Sequence, residues 1–285
     1  LSRSADPQQT TYGELKNKSS EISTDPRRIN TPGQSSTTSR SPVVQAPKPG
    51  SNFKYIEPGV LAFGRLGDNL ANSVSLSGFY ISKYEVTQGE WNRLMKPAAV
   101  TTVGDNLPVD NVSWFDIAIY CNGRSEVEGL EPAYKIRGIG ASRVVTVDWR
   151  ANGYRLPSEA EWELAAKAGE LYHYSGSDDA SEVAWYRENS AGKLRTPGGK
   201  NANNWGLYDM SGNVSEWVWD WYDANYLRAL PTFVNPTGPA TGTQKTIRGG
   251  SVMSGEGRAL NLLNREKGDP NRQYQYVGFR LVRTK

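Results

Sequence analysis

Arg248–Lys285 reads RGGSVMSGEGRALNLLNREKGDPNRQYQYVGFRLVRTK; its two ends read as framework and its middle as surface. In Arg248-Gly249-Gly250-Ser251, two adjacent residues tolerate positive φ, so the chain can turn sharply there or let another group approach its backbone. At the far end Val277, Phe279 and Leu281 alternate with Gly278, Arg280 and Val282, the pattern of a half-buried strand with one apolar face. The stretch between them mixes small, charged and aromatic residues, with no sustained period of strand or helix. Such a segment is expected to be a long loop fixed at both ends, the kind of place where binding resides.

Upstream, Asn203–Trp217 interleaves aromatics and glycines with Asp and Asn, and Trp217, Trp219 and Trp221 follow at strand period. That period places three indoles on one strand face, as core or as a wall behind the final loop. Asp209 and neighbouring turn carbonyls offer the hard oxygens that suit Ca²⁺. Further upstream, three helices announce their starts. Thr87 with Glu90 and Ser158 with Glu161 form capping boxes, and Ser113 stands before Asp116 in the same sense. The spacing predicts helices over 88–95, from Ser113 through Cys121, and from Ser158 to a C′ glycine at Gly169. Glu159, Glu161 and Glu163 sit in or just after a first helical turn, where they read as dipole partners and a cap rather than catalytic acids. Phe53–Ile56 and Val60–Phe63, split by Pro58-Gly59, give a hairpin signal; Leu76–Lys83 and Val144–Trp149 read as further strands.

Composition narrows the function. All nine Trp fall between Trp91 and Trp221, whereas residues 1–50 hold one aromatic, Tyr12, among Ser, Thr, Pro, Gln, Lys and Arg. That first stretch buries too little apolar surface to order itself and is expected to be a tether before one domain spanning 51–285. Because the chain begins at Leu1 on this polar run, a processed N terminus, including one that followed a lipidated segment, is expected. No apolar run approaches the roughly 20 residues needed to span a bilayer. A net charge of +3 spread along the chain leaves no footprint for nucleic acid. A single cysteine, Cys121, rules out an intramolecular disulfide, and a single histidine, His173, rules out any site needing several imidazoles. Cys121 reads as a buried small hydrophobe and His173 as a surface loop residue.

Taken together, FYISKYEVTQGEW, LPVDNVSWFDIAIYCN, YRLPSEAEWELAAKAG, WGLYDMSGNVSEWVWDWY, RGGS and VGFRLV resemble, in that order, the formylglycine-generating enzyme or sulfatase-modifying factor family. The resemblance implies an α+β, C-type lectin-like fold with much irregular structure. It also implies structural Ca²⁺ held by the Asp209 side chain and the carbonyls of Met210, Gly212 and Val214. In the oxidase members of this family two cysteines follow the glycine pair's serine at the third and eighth places and bind copper. Here those places are Ser254 and Ala259. Neither a hydroxyl nor a methyl supplies a soft Cu(I) ligand or a redox-active sulfur, so no catalytic cofactor is expected and the oxidase activity is not.

The non-catalytic branch fits better. The chain resembles the variable proteins of diversity-generating retroelements, which carry the same frame and end in RGGS, a hypermutated segment and GFRLV. That branch implies a receptor-like protein displayed on a bacterial outer surface by a lipidated N-terminal tether. Its ligand, expected to be a protein, meets the 252–276 surface, and the protein itself is expected to be a monomer. Mutation of the two adenines of an AAC or AAT codon reaches Val, Ser, Gly, Arg, Leu, Asp and Tyr, but not Met, Glu, Lys or Gln. The expected contact residues are Val252, Ser254, Gly255, Glu256, Gly257, Arg258, Leu260, Asp269, Tyr274 and Tyr276, of which Glu256 needs a different template codon. Tyr274 and Tyr276 offer amphipathic area at low entropic cost, and Arg258 a bidentate fork. A second reading leaves the two tyrosines capping the core. A diverged enzyme and a calcium-dependent glycan-binding module are the alternative functions.

Overall fold

The computed structural model describes residues 50–64, 73–226 and 234–285. The expected tether therefore lies, apart from its last residue, outside the described residues.

The helix starts follow the local chemistry read from the sequence. α1 (Gln88–Asn92) and α3 (Glu159–Lys167) each begin with both halves of a capping box, and Ser113 caps α2 (Trp114–Val127). At the end of α3, Ala168 and Gly169 both adopt positive φ, at 49° and 81°. Two short helices, α4 (Ala180–Val183) and α5 (Arg187–Ser190), follow.

The strands form two four-stranded sheets and two ribbons. In the first sheet, β1 (Phe53–Ile56) pairs antiparallel with β4 (Phe79–Ser82), which pairs with β12 (Val282–Thr284), itself paired with β7 (Tyr154–Arg155). In the second, β10 (Glu266–Gly268), β9 (Lys245–Arg248) and β8 (Ser215–Trp221) run antiparallel to one another, and β11 (Val277–Gly278) joins β8 in parallel. β2 (Gly59–Leu61) with β3 (Val74–Leu76), and β5 (Tyr134–Arg137) with β6 (Val144–Val147), make the ribbons. This is the expected α+β architecture with much irregular chain.

Three expectations about strands change. Phe53–Ile56 and Val60–Phe63 do not form a hairpin with each other, because β1 pairs with β4 and β2 with β3. The run from Leu76 to Lys83 is broken at Ser77-Gly78, which separates β3 from β4. Gly78 is required there, since a Cβ would sit 2.2 Å from the Tyr55 hydroxyl. Val277–Val282 is not one half-buried strand. Every residue in it is buried, Arg280 included, and the segment passes from the second sheet at β11 to the first at β12.

Among the described residues two large apolar clusters make up most of the interior, with two smaller ones beside them. One gathers Trp91, Trp114, Tyr120, Cys121, Trp217 and Phe279 around α2; the other gathers Ile56, Phe79, Ile81, Trp162, Met210, Val218 and Val282 around α3. Consecutive strand residues point to opposite faces, so Trp217 and Val218 on β8 feed one cluster each. Cys121 is fully buried, and burial pushes its thiol far above the ordinary range, as expected of an inert core residue. Trp219 and Trp221 continue the Trp217 face as a wall. The Lys245 ammonium lies 4.6 and 3.8 Å from their ring centres and 4.1 Å from that of Trp114. Burial draws Lys245 down to about 7, an effect that the Asp220 carboxylate opposes; its ammonium donates to the Trp219 carbonyl at 2.7 Å.

Candidate functional site

Arg248 opens the final segment from the end of β9 with its guanidinium fully buried. It donates to Glu159 Oε1, to Glu163 Oε2 at 2.9 Å and to the Leu262 carbonyl. Glu159 also receives Arg265, Nη2 at 2.8 Å, and Glu163 receives Lys167 at 2.8 Å. Glu161 takes both Nη atoms of Arg155 while closing the α3 cap. The three glutamates are therefore not merely dipole partners of a surface helix. All three are buried and ion-paired: Glu159 and Glu163 hold Arg248 and so fix the first residue of the loop, whereas Glu161 pairs with Arg155 six residues before it. Sequence spacing carried no sign of the Arg248 and Arg265 partners.

Beyond Arg248 the chain turns through Gly249 and Gly250, with φ of 92° and 70°. A Cβ on Gly250 would fall 2.5 Å from the Ala259 carbonyl oxygen, so the turn and the end of the next loop touch backbone to backbone. Gly212 N donates to the Gly249 carbonyl at 3.0 Å and Val252 N to the Asn213 carbonyl at 2.9 Å. The glycine turn is thus stitched to the loop that carries Asp209.

At the exit, Gly278 has no room for a side chain, since a Cβ would lie 2.3 Å from the Val109 carbonyl oxygen. Arg280 follows, fully buried, gripping both carboxylate oxygens of Glu216 and donating to the carbonyls of Ser82, Lys83 and Tyr208. Glu216 also accepts the Trp162 indole N–H at 2.7 Å.

The structure sorts the expected contact residues into three kinds. Glu256 and Arg258 are exposed, and Ser254, Gly255 and Gly257 are half-exposed beside them. Ser254 is partly used locally: its hydroxyl accepts from Ser251 N and its carbonyl from Arg187 N at the start of α5, each at 3.0 Å. Asp269 is half-exposed and its carboxylate accepts from Asn271 N at 2.9 Å.

Tyr274 and Tyr276 form the second kind, half-buried and tied down. The Tyr274 hydroxyl accepts from Asp269 N at 2.9 Å, and its ring meets Trp217 edge-on with centres 5.8 Å apart. Tyr276 holds a left-handed φ of 60°, donates its N–H to Asp110 Oδ2 at 2.8 Å and packs against the Leu194, Val214 and Val252 cluster. The reading in which these tyrosines cap the core describes Tyr274 well.

Val252 and Leu260 are the third kind, and here the expectation is corrected. Both are fully buried, Val252 with Leu194 and Val214, Leu260 with Tyr174, Val183, Ala184 and Tyr186. A ligand at the surface does not reach either side chain; they anchor the loop. Their apolar character was the signal that, weighed alone, would have placed them inside.

The expected metal loop is well defined. Asp209 and Asn213 hold left-handed φ of 54° and 56°, Gly212 one of 90°, and a Cβ on Gly212 would lie 2.3 Å from the Trp185 carbonyl oxygen. Met210 and Val214 point their side chains into the core. Asp209 Oδ2 accepts from Gly198 N at 2.7 Å, whereas its buried Oδ1 has no partner among the described residues. Burial pushes this carboxyl up to about 6. Glu85, missed by sequence reasoning, is also fully buried; it receives Val214 N at 3.0 Å and Asn213 Nδ2 at 2.6 Å. Burial, then Asp209 and Glu216, raise Glu85 well above the usual carboxylate range. Three acids therefore share one guanidinium, that of Arg280. Among the described residues no three Asp, Glu, His or Cys side chains converge on one point as a ready cage. The orphaned Asp209 oxygen on a turn of backbone carbonyls nonetheless fits a hard cation that takes carbonyl ligands.

Comparison with known proteins agrees with this geometry. A chaperone protein LppX from Paenibacillus barcinonensis is 36% identical over 244 residues, covering 75% of this chain and 82% of that protein. The formylglycine-generating enzyme of Thermomonospora curvata is 27% identical, covering 82% of this chain and 91% of the enzyme. Among solved structures, Treponema denticola variable protein 1 superposes with a TM-score of 0.73 at 30% identity, over 82% of this chain and 95% of that one. The family thus holds both enzymes and a variable protein. With residues 40–285 matching the sulfatase-modifying factor enzyme 1-like domain, the chain belongs to that family.

Proposed function

We propose that this chain is a non-enzymatic, receptor-like binding protein whose 252–276 surface meets its ligand and is varied by a retroelement. The carrying observation is the absence of thiols at the loop. Ser254 and Ala259 stand where the oxidase members place cysteines, and the sole cysteine, Cys121, is buried in the α2 cluster. The likeness to a variable protein supports the same reading. The exposed Glu256 and Arg258, with the half-exposed Ser254, Gly255, Gly257 and Asp269, supply the changeable surface, on a loop held by Arg248, Val252, Leu260 and Arg280. The ligand on this reading is a protein, the chain acts as a monomer, and an N-terminal lipid anchor displays it on the bacterial outer membrane.

Exchange of residues 254, 255, 256, 257, 258 and 269 for those of a differing variant tests this. Ligand choice is expected to change while the melting temperature moves by less than about 4 °C, equivalent to ~1 kcal/mol in a domain of this size. Unchanged ligand choice would sink the surface assignment. A genome lacking both a reverse transcriptase gene and a near-copy of the 248–282 coding segment that differs at adenines would sink the diversification.

Structural Ca²⁺ at the Asp209 loop belongs to the same proposal, with the carbonyls of Met210, Gly212 and Val214 completing the set. The ion would neutralise a buried carboxylate that Arg280, shared with Glu85 and Glu216, compensates only in part. Calcium at one hundred times its dissociation constant is expected to stabilise the protein by about 2.7 kcal/mol relative to chelator. Asp209→Asn is expected to abolish that response and leave the chelated protein at least as stable as the parent. Melting curves that coincide with and without calcium would argue against the ion.

A further inference from the structure

A cleft of about 420 Å³ opens where the 3₁₀ turn Arg258–Leu260 meets the chain after β8. Its lining combines the polar Arg258, Asn261, Asn264 and Arg265 with the aromatic Tyr222 and the aliphatic Ala224 and Leu263. These residues differ in how far their hydrogen-bonding capacity is already used. Arg265 is spent, its guanidinium held by Glu159 and the Asp223 carbonyl. Arg258 is not: it is exposed, and among the described residues its guanidinium has no hydrogen-bond or ion-pair partner.

Asn261 uses its side-chain oxygen to accept from Leu263 N at 2.8 Å, which leaves its amide N–H₂ without a partner among the described residues. The Tyr222 ring already carries two cations near it, the Arg265 carbon at 5.0 Å and Lys267 Nζ at 5.2 Å from its centre. The cleft is therefore lined by an unpaired guanidinium, a free amide donor and the apolar surface of Tyr222 and Leu263, with Lys267 close to the same ring.

We infer that this cleft binds a carboxylate of a peptide ligand, with Arg258 as the bidentate partner and Asn261 as a second donor. The aliphatic or aromatic neighbour of that acidic residue packs on Tyr222 and Leu263. A planar carboxylate matches the guanidinium fork, whereas a basic group would meet Arg258 and Lys267 with like charge. The inference rests on the binding reading above and adds the chemical class of the ligand at one part of that surface. It also separates two roles within one short turn: Leu260 pins it to the core while Arg258, two residues earlier, is free to be changed.

The test is selection of a displayed random peptide library on the whole protein and on Arg258→Glu, whose melting temperature should match the parent because the side chain is exposed. Peptides selected on the parent are expected to share an Asp or Glu at one position. A synthetic peptide from that set should lose at least about tenfold in affinity, near 1.4 kcal/mol, when that residue becomes Gln. Arg258→Glu should instead select Lys or Arg, and Arg258→Lys should retain part of the affinity. Peptides with free and amidated C termini separate a side-chain carboxylate from a terminal one. Identical peptide compositions from the two baits, equal affinity of the Gln peptide, or no binders at all would overturn the inference. Neutral or basic peptides whose binding still depends on residues 254–258 would overturn it while leaving the receptor reading intact.

Discussion

Arg280→Met is expected to cost about 3–5 kcal/mol in unfolding free energy, because it removes the one cation from a set of buried acids. Arg280 holds Glu216 by both oxygens and closes three backbone carbonyls, those of Ser82, Lys83 and Tyr208. Methionine fills the volume but leaves Glu216, among the described residues, with only the Trp162 indole N–H at 2.7 Å as a side-chain partner, and leaves Glu85 and Asp209 without a nearby positive charge. Arg280→Lys should recover little, since a single ammonium cannot reproduce a fork spread over four acceptor groups. Adding Glu216→Gln to Arg280→Met should restore part of the loss, because the uncompensated charge, more than the missing bond, sets the cost. Urea unfolding followed by tryptophan fluorescence measures all of these variants. A loss below about 1 kcal/mol in the single variant would show that the buried pair is replaceable by packing alone.

Trp217→Ala carries the second large effect, again about 3–5 kcal/mol, from lost transfer energy and the cavity left behind. The indole is fully buried, donates to the Val112 carbonyl at 3.2 Å and meets the Tyr274 ring at 5.8 Å. Gly268 exists in β10 because a Cβ there would lie 2.5 Å from the Trp217 ring. Loss of the indole should therefore loosen the second half of the loop in particular. Amide exchange reads this: Asp269 N–H, bonded to the Tyr274 hydroxyl, and Asn111 N–H, bonded to its carbonyl, should exchange faster. The Gly212 N–H at the glycine turn should change only through the global stability. Equal acceleration at all three amides would mean that Trp217 supports the whole domain and not this part of the loop.

The contrast between what the sequence discloses and what it hides follows the range of each interaction. Thr87 with Glu90, Ser113 with Asp116 and Ser158 with Glu161 are decided within one helical turn, so their helices were legible. The buried role of Cys121 followed from its place among Trp114, Ile117 and Ala118 on one helical face. Arg248 with Glu163 and Arg280 with Glu216 lie 85 and 64 residues apart, and no local spacing announces such a pair. The strand reading of Val277–Val282 failed for the same reason. Alternation assumes a solvent side, and here the polar member, Arg280, is buried against a partner from β8. At the loop, family resemblance located the segment but did not separate its outward side chains from its anchors, which Val252 and Leu260 turned out to be. Cleft-lining Asn261 and Asn264 carried no distinguishing pattern, since amides are ordinary loop residues.

The placement of β12 between β4 and β7 bears on how such a chain comes to be folded at all. Leu281 N donates to the Ser82 hydroxyl across 199 residues, so the first sheet stays incomplete until the final strand has emerged and found its slot. Closure over that span is a late, entropically costly step, and contacts this distant slow folding more than they alter final stability. On the binding reading proposed above, synthesis delivers the ligand-facing residues before the strand that locks their scaffold. A substitution among them would be tested first by whether it lets β12 dock before exposed strand edges associate with other chains.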